Sequence, residues 1–308
     1  MERLQRVAQI TVATDPSPAA LIHEVADVVG ILVRTVPITA EVIEAASRLK
    51  VIARHGVGVD NIDVAVATRR GIPVAYTPNT NATSVAEHIL VLMGALAKQI
   101  ISYDRATRAG EWEIRNSYRA VDLKGKTLGL VGVGRIGREI SRRARAAFDM
   151  TVLGYDPYVD IATLEGLGVR PVGSLDELLR EADVVSIHVP LTNGTRHLIG
   201  PAELAKMKPT AFLINTSRGA VVDEAAMVEV LRSSKIAGAG LDVFAEEPPP
   251  RSHPLLDLPN VIVTPHSAAL TAEAVIRMAT GAAQAIVDVL EGRRPEHVVN
   301  PEVFERLP

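Results

Sequence analysis

The chain has 308 residues, is 47% hydrophobic and 22% charged, and carries a net charge of −3; this is enough for two ordinary globular domains, with no charge excess to select nucleic acid or an anionic membrane. It has no cysteine, which excludes disulfides, thiol catalysis and cysteine-ligated metals and fits a reducing, cytoplasmic setting. The opening MERLQRVAQI lacks the apolar core of a signal peptide, and no run approaches the roughly 18 apolar residues of a membrane span.

Residues 7–13 read as a first strand, 28–33 as a second ending at Arg34, 51–53 as a third running into RHGVGVDNID, and 72–76 as a fourth. Helical stretches at 39–48, with Thr39 to cap it, and at 65–70, stopped by Gly71, lie between them. Strands alternating with helices predict a parallel sheet with right-handed crossovers. In such sheets ligands gather beyond the carboxyl ends of the strands. Arg34, Arg54, the turn at Gly56, Val57 and Gly58, and Asn81 all fall at such ends.

Residues 84–100 form a long, mostly apolar helix with Ser84 and Glu87 at capping-box spacing. A helix this apolar is expected to be buried, between domains or against a second copy of the chain. Residues 102–126, with Gly110, many charges and the only tryptophan, Trp112, read as an arm or long connection, with Trp112 as an interface anchor.

A short apolar run, residues 128–131, then runs into Gly132, Gly134 and Gly137, spaced G-x-G-x-x-G, and a helical pattern follows at once. The first glycine permits a tight turn, the second lets backbone approach a pyrophosphate, and the third lets helix pack close on strand. The helix N-terminus offers unpaired N–H groups to the phosphates. An acidic residue stands nearly twenty positions on, Asp156 in TVLGYD, where a ribose would need it. Further strands are expected at 151–155, 183–189, 210–215, 237–241 and 261–264, with helices at about 137–147, 174–181, 201–206 and 223–233 between them. This is the double βαβαβ plan of a dinucleotide-binding domain. A last helix, 271–290, is expected to cross back, so that the first domain is discontinuous: 1–98 plus 286–308, with 99–285 as the nucleotide-binding domain.

Three strands of the second domain end in polar residues: INTSRG gives Arg218, LDVFAEEP gives Asp242 and Glu247, and VTPHSAA gives His266. Converging at one sheet edge, an Arg, a Glu and a His suit reduction of a 2-oxo acid. Arg binds the carboxylate and polarises the carbonyl. His gives the carbonyl oxygen its proton, and Glu holds the imidazole in one tautomer and favours its charged form. Taken singly, His266 reads as a satisfied loop histidine, Glu247 as solvated and Arg218 as the partner of a structural acid. His188, on the apolar strand DVVSIHVP, reads as a packed core residue, and no H-E-x-x-H or comparable spacing suggests a metal site. Arg34 and Arg54 either bind a distal phosphate or carboxylate of the substrate or pair with Asp60 or Glu87.

The sequence resembles the D-isomer-specific 2-hydroxyacid dehydrogenases, in their phosphoglycerate dehydrogenase-like branch. The stretches that carry the likeness are ARHGVGVDNID, NATSVAEH, LKGKTLGLVGVGRIGRE, GYDP, HVPLTNGTRHLI, INTSRGAVVDE, AGAGLDVFAEEPPP and HPLLDLPNVIVTPH, which together span nearly the whole chain. The resemblance implies an α/β fold of two open parallel-sheet domains that close on one another, a Rossmann domain and a smaller flavodoxin-like substrate domain. It implies that Arg218, Glu247 and His266 are the catalytic set. It implies contacts to NAD from Gly132, Gly134, Arg135, Ile136, Gly137, Asp156, Val189, Pro190, Thr195, Thr216 and Asp242, the last near the nicotinamide carboxamide. The N–H groups of Val57 and Gly58 would hold the substrate carboxylate, with Arg34, Arg54 and Asn81 nearby. The expected activity is that of an NAD-dependent D-2-hydroxyacid dehydrogenase acting on 3-phosphoglycerate or a similar small 2-hydroxy or 2-oxo acid, by a homodimer built around the nucleotide-binding domains. A glyoxylate or hydroxypyruvate reductase, or a non-catalytic NADH-sensing protein, are the alternatives. Two departures stand out: SAAL follows His266 where many phosphoglycerate enzymes have a glycine, and, with Pro308 the last residue, serine feedback through a C-terminal domain is not expected.

Overall fold

The computed structural model describes residues 2–305, which divide into two compact α/β units. Residues Ala82–Thr271 form one, and the chain before and after them forms the other. The divisions therefore lie at 81/82 and 271/272, against the expected 98/99 and 285/286. Each long helix belongs whole to one unit, because each packs its buried stripe on a single core.

The first unit has a three-stranded parallel sheet, β1 (Gly30–Val33), β2 (Val51–Arg54) and β3 (Val74–Ala75), in that order. One face buries Ile52, Val33 and Val74 with Val42, Ile43, Val66 and Ala67 from helices Ala40–Ala45 and Val64–Arg69. The other buries Val51 and Ala53 against Ala282, Ala283, Ile286 and Val287 of helix Ala272–Leu290. Residues 7–13 are not a strand. Val7 and Ile10 pack partly on this second face without joining the sheet, and Val12 is 80% exposed. The expected fourth strand, 72–76, is reduced to the two residues of β3. Asn300 lies against it, accepting from the Val74 N–H and donating to the Ile72 carbonyl.

The second unit has a seven-stranded parallel sheet. Its strands are β4 (Thr127–Val131), β5 (Thr151–Tyr155), β6 (Arg170–Pro171), β7 (Val184–Ile187), β8 (Phe212–Asn215), β9 (Gly238–Leu241) and β10 (Val261–Val263). The order across the sheet is β10-β9-β8-β7-β4-β5-β6. Strand alternation sends Leu128, Leu130, Val184 and Ile214 to one face, under helices Ala82–Ala97 and Arg135–Phe148. Val131, Val185, Ile187 and Leu213 go to the other, under Leu175–Glu181 and Glu224–Arg232. Those last two helices start where Ser174 and Asp223 accept N–H groups of their first turns. The sequence order reverses between β4 and β7, and such a switch point opens a crevice at the carboxyl ends of the strands.

The apolar helix starts earlier than expected, at Ala82, so Ser84 lies inside it, and its hydroxyl meets that of Thr271 at 3.1 Å instead of capping. It stops at Ala97 because Gln99 turns left-handed (φ 55°), and a second helix, Ile100–Arg108, leaves at a bend of 59°. The expected arm thus holds that helix and a 3-10 turn, Trp112–Ser117. Among the described residues no single helix is long and apolar enough to cross a membrane.

Candidate active site

The glycine turn sits at the switch point. Gly132 has φ +94°, which a side chain rarely adopts, and a Cβ on Gly137 would meet the Gly132 carbonyl oxygen at 2.7 Å. The turn is fastened by Asp156, just beyond β5, whose carboxylate accepts the Val133 N–H at 2.8 Å and the Tyr158 N–H at 2.9 Å. Arg135 and Ile136 open helix Arg135–Phe148, whose first-turn N–H groups have no intrahelical partners. A Cβ on Gly134 would meet nothing within 4 Å, so backbone and helix end face open space there. On the far side, Val189 lies beside Gly132, and the Thr195 hydroxyl donates to the Pro190 carbonyl at 2.6 Å. Thr216 follows β8 and is half-buried. An open concavity of backbone donors with a carboxylate at its flank fits a dinucleotide.

His188, the first residue beyond β7, is half-buried, but both its ring nitrogens are shielded from solvent and lack a hydrogen-bond partner. Burial pushes its pKa down to about 4, so the ring is neutral at pH 7.

The three candidate catalytic side chains leave the ends of the neighbouring strands β8, β9 and β10. Asn215, the last residue of β8, accepts the Ser217 N–H at 3.0 Å and donates to the Arg218 carbonyl at 2.9 Å, setting the loop that presents Arg218. Gly219 is obligatory: a Cβ there would stand 2.0 Å from the Phe244 carbonyl carbon. The loop after β8 is thereby pressed onto the loop that carries Glu247. Glu247 accepts the Phe244 N–H at 3.1 Å and, on its other oxygen, meets His266 Nδ1 at 2.7 Å. Burial alone would raise the Glu247 pKa. The hydrogen bonds from His266 and Phe244 and the charges of His266 and Arg218 outweigh that and hold it below the usual carboxylate value. A carboxylate accepts only, so His266 Nδ1 carries the proton of this bond. Nε2 has no protein partner among the described residues. The ring is oriented by one nitrogen and presents the other.

His266 is held in the left-handed region (φ 51°), at a cost of about 1–3 kcal/mol for a non-glycine residue. The restraint comes from Asp242. Its buried carboxylate accepts the N–H groups of Ser267 and Ala268, both at 2.8 Å, and the Thr264 hydroxyl. Three of its roughly four acceptor positions are used inside the protein, leaving about one for a carboxamide. The resemblance assigns Asp242 to NAD; the geometry adds a second task, bracing the histidine loop. Nothing in the sequence pattern assigns a role to His88 or Thr264, yet the His88 ring lies 3.0 Å from the Thr264 hydroxyl. NATSVAEH was the only signal that marked it.

In the first unit, Arg54 ends β2 and curls onto the turn that follows. Its Nε donates to the Gly58 carbonyl at 2.7 Å, and Nη1 to that of His55. The turn is held from the other side by Thr77, whose hydroxyl accepts the Gly56 N–H at 3.0 Å. Val57 and Gly58 lie at the tip. Arg34 stands exposed beyond β1, and Asn81 is buried at the end of the unit's first segment.

Residues 90–268 match the family described as D-isomer specific 2-hydroxyacid dehydrogenase, NAD binding domain. The chain is 45% identical over 298 residues to a D-3-phosphoglycerate dehydrogenase of Methanocaldococcus jannaschii, covering 96% of this chain and 56% of that protein. It thus spans about half the length of the phosphoglycerate dehydrogenases it matches. It is 43% identical over 297 residues to a glyoxylate reductase of Korarchaeum cryptofilum, covering 95% and 89%. Among solved structures, a glyoxylate reductase from Paecilomyes thermophila superposes with a TM-score of 0.88 at 34% identity, covering 98% of this chain and 94% of that one.

Proposed function

The chain belongs to the D-isomer specific 2-hydroxyacid dehydrogenases, and from that premise we propose that it interconverts a small D-2-hydroxy acid and its 2-oxo acid with NAD. The observation that carries the proposal is the Glu247–His266 pair, which leaves Nε2 of an oriented imidazole unengaged beside the Arg218 loop. NADH, when bound, supplies the hydride. Arg218 binds the substrate carboxylate and draws electron density from the carbonyl. His266 delivers the proton from Nε2 to the carbonyl oxygen, so that no free alkoxide forms. Glu247 holds the Nδ1 proton and offsets the positive charge of the ring while it is protonated. In the oxidative direction the neutral ring takes the hydroxyl proton back. The N–H groups of Val57 and Gly58 are assigned to the substrate carboxylate.

The residues that would hold NAD are the 132–137 turn and helix start, Asp156, Val189, Pro190, Thr195, Thr216 and Asp242. A 2′-phosphate on the cofactor would meet the charge of Asp156, worth roughly a hundredfold in favour of NAD. Asp156→Ser narrows that preference; equal kcat/KM with NADH and NADPH in the unaltered protein would contradict it.

For substrate, 3-phosphoglycerate comes first, in keeping with the names of the relatives. Hydroxypyruvate or glyoxylate is the second reading, favoured by one observation: Arg54 spends two of its donors on its own turn. Initial rates with a panel of 2-oxo acids and both cofactors separate the two. Binding of NADH with no turnover of any acid would instead support a sensing protein. We assign a cytoplasmic location and a homodimer to the same reading. The dimer is supported by Val91, Trp112 and Tyr118 on the second unit, which are 68%, 60% and 85% exposed. Sedimentation of the protein with Trp112→Glu tests it, and an unchanged mass would remove Trp112 from the interface.

A further inference from the structure

His88 lies on helix Ala82–Ala97, one turn after Ser84, and belongs to neither the catalytic set nor the nucleotide cradle described above. Its Nε2 is 3.0 Å from the Thr264 hydroxyl and 3.9 Å from Asp242 Oδ1. The directions of these bonds follow from chemistry. The Asp242 carboxylate is an acceptor, so the Thr264 hydroxyl donates to it. The Thr264 oxygen is then left to accept, and His88 must donate from Nε2. The chain reads His88 Nε2–H, Thr264 O–H, Asp242 carboxylate, and from there the N–H groups of Ser267 and Ala268. Thr264 stands two residues before His266 and Ser267 one after it, so Asp242 grips the loop on both sides of the left-handed residue. Ser84 fixes the end of the same segment through Thr271. Two successive turns of one helix therefore touch the segment that carries His266.

We propose that His88 is a positioning residue for His266: through the Thr264 hydroxyl it fixes the Asp242 carboxylate, and through that carboxylate the backbone from which the His266 ring projects. The proposal rests on the reading of His266 as proton donor. It predicts that loss of the His88 donor damages proton delivery more than NADH binding, since small displacements of a reacting group carry rate penalties of up to about a hundredfold.

The experiment uses the full chain and the variants His88→Ala, His88→Gln, Thr264→Val and Thr264→Ser, with kcat and KM for the best 2-oxo acid, the NADH dissociation constant by fluorescence and the melting temperature. His88→Ala and Thr264→Val are expected to lower kcat about tenfold or more and to weaken NADH by less than that, because Asp242 keeps its two backbone N–H donors. Thr264→Ser, which keeps the hydroxyl, and His88→Gln, whose amide N–H takes the place of Nε2–H, restore most of the rate. In a His266→Ala background, adding His88→Ala costs nothing further, because the group it positions is gone. Normal kcat in both His88→Ala and Thr264→Val, or equal losses with and without His266, would overturn the proposal. A readout independent of turnover is the nitrogen-15 spectrum of the histidine rings. It should report the Nε2–H tautomer for His88, and His266 signals that move in Thr264→Val but not in Thr264→Ser. If the unaltered protein reduces no 2-oxo acid, the functional reading falls and this spectrum alone decides: an Nδ1–H tautomer for His88, or unmoved His266 signals, refutes the positioning role.

Discussion

The shielded, unpartnered ring nitrogens of His188 make the protein's stability depend on pH in a way that one substitution removes. Its folded pKa, about 4, lies below the ordinary imidazole value of 6.5. Between those two values the unfolded chain binds a proton that the folded chain refuses. Stability is therefore full above about pH 6.5 and falls as pH drops toward 4. One pKa unit corresponds to about 1.4 kcal/mol, so this residue alone withdraws about 2 kcal/mol by pH 5 and about 3 kcal/mol by pH 4. His188→Leu keeps a similar volume and removes two nitrogens that have no partner, so the variant should be no less stable at pH 7. Urea unfolding followed by circular dichroism at pH 7, 6, 5 and 4 gives the comparison. The unaltered protein and the variant share every other titrating group, so the difference between their curves isolates His188. That difference should open in favour of the variant by about 3 kcal/mol across the series. Parallel curves would mean that the ring is charged or solvated in the folded protein, and the argument from burial would be refuted.

Four further outcomes follow from the site. Glu247 is ionised across neutral pH because its pKa is held down; Glu247→Gln takes away the charged acceptor that orients the ring and should lower kcat in both directions, and an unchanged kcat would remove Glu247 from the catalytic set. His266→Ala should lower kcat by about a hundred- to ten-thousandfold while NADH still binds, and a near-normal rate would exclude the ring as proton donor. Gly219→Ala would drive a Cβ into the Phe244 backbone; an overpacking cost of about 1–3 kcal/mol should appear as a lower melting temperature together with a lower kcat, as the Arg218 and Glu247 loops are forced apart. Arg54→Gln should raise KM for glyoxylate as much as for a phosphorylated 2-oxo acid, because the residue braces the turn; a rise confined to the phosphorylated acid would restore it to distal-anion binding.

The local features of the fold were legible. Gly132, Gly134 and Gly137 follow an apolar strand and open a helix, and a pattern confined to consecutive residues survives folding intact. Arg218, Glu247 and His266 each followed a strand, and parallel topology sends such residues to one edge. What the sequence hid was non-local. Whether Arg54 points at a ligand or at its own turn depends on where the His55 and Gly58 carbonyls face. The three bonds on Asp242 come from a loop more than twenty residues away. The end of the long helix was missed because Gln99 adopts a left-handed conformation that residue type does not announce. The 7–13 stretch has the apolar content of a strand, and only its failure to pair with the β1 edge of the sheet shows that it is not one.

The division of the chain also sets an order of events during synthesis. All of Ala82–Thr271 is contiguous, so that unit has its whole core as soon as β10 and the residues after it leave the ribosome. The other unit must wait. Val51 and Ala53 present an apolar sheet face early, but the helix that covers it, Ala272–Leu290, is made only after the entire intervening unit. Closing so long a loop costs little more than closing a shorter one, since the entropy grows only with the logarithm of length. The delay is kinetic, and during it the uncovered face of β1 and β2 is the surface that invites aggregation or a chaperone.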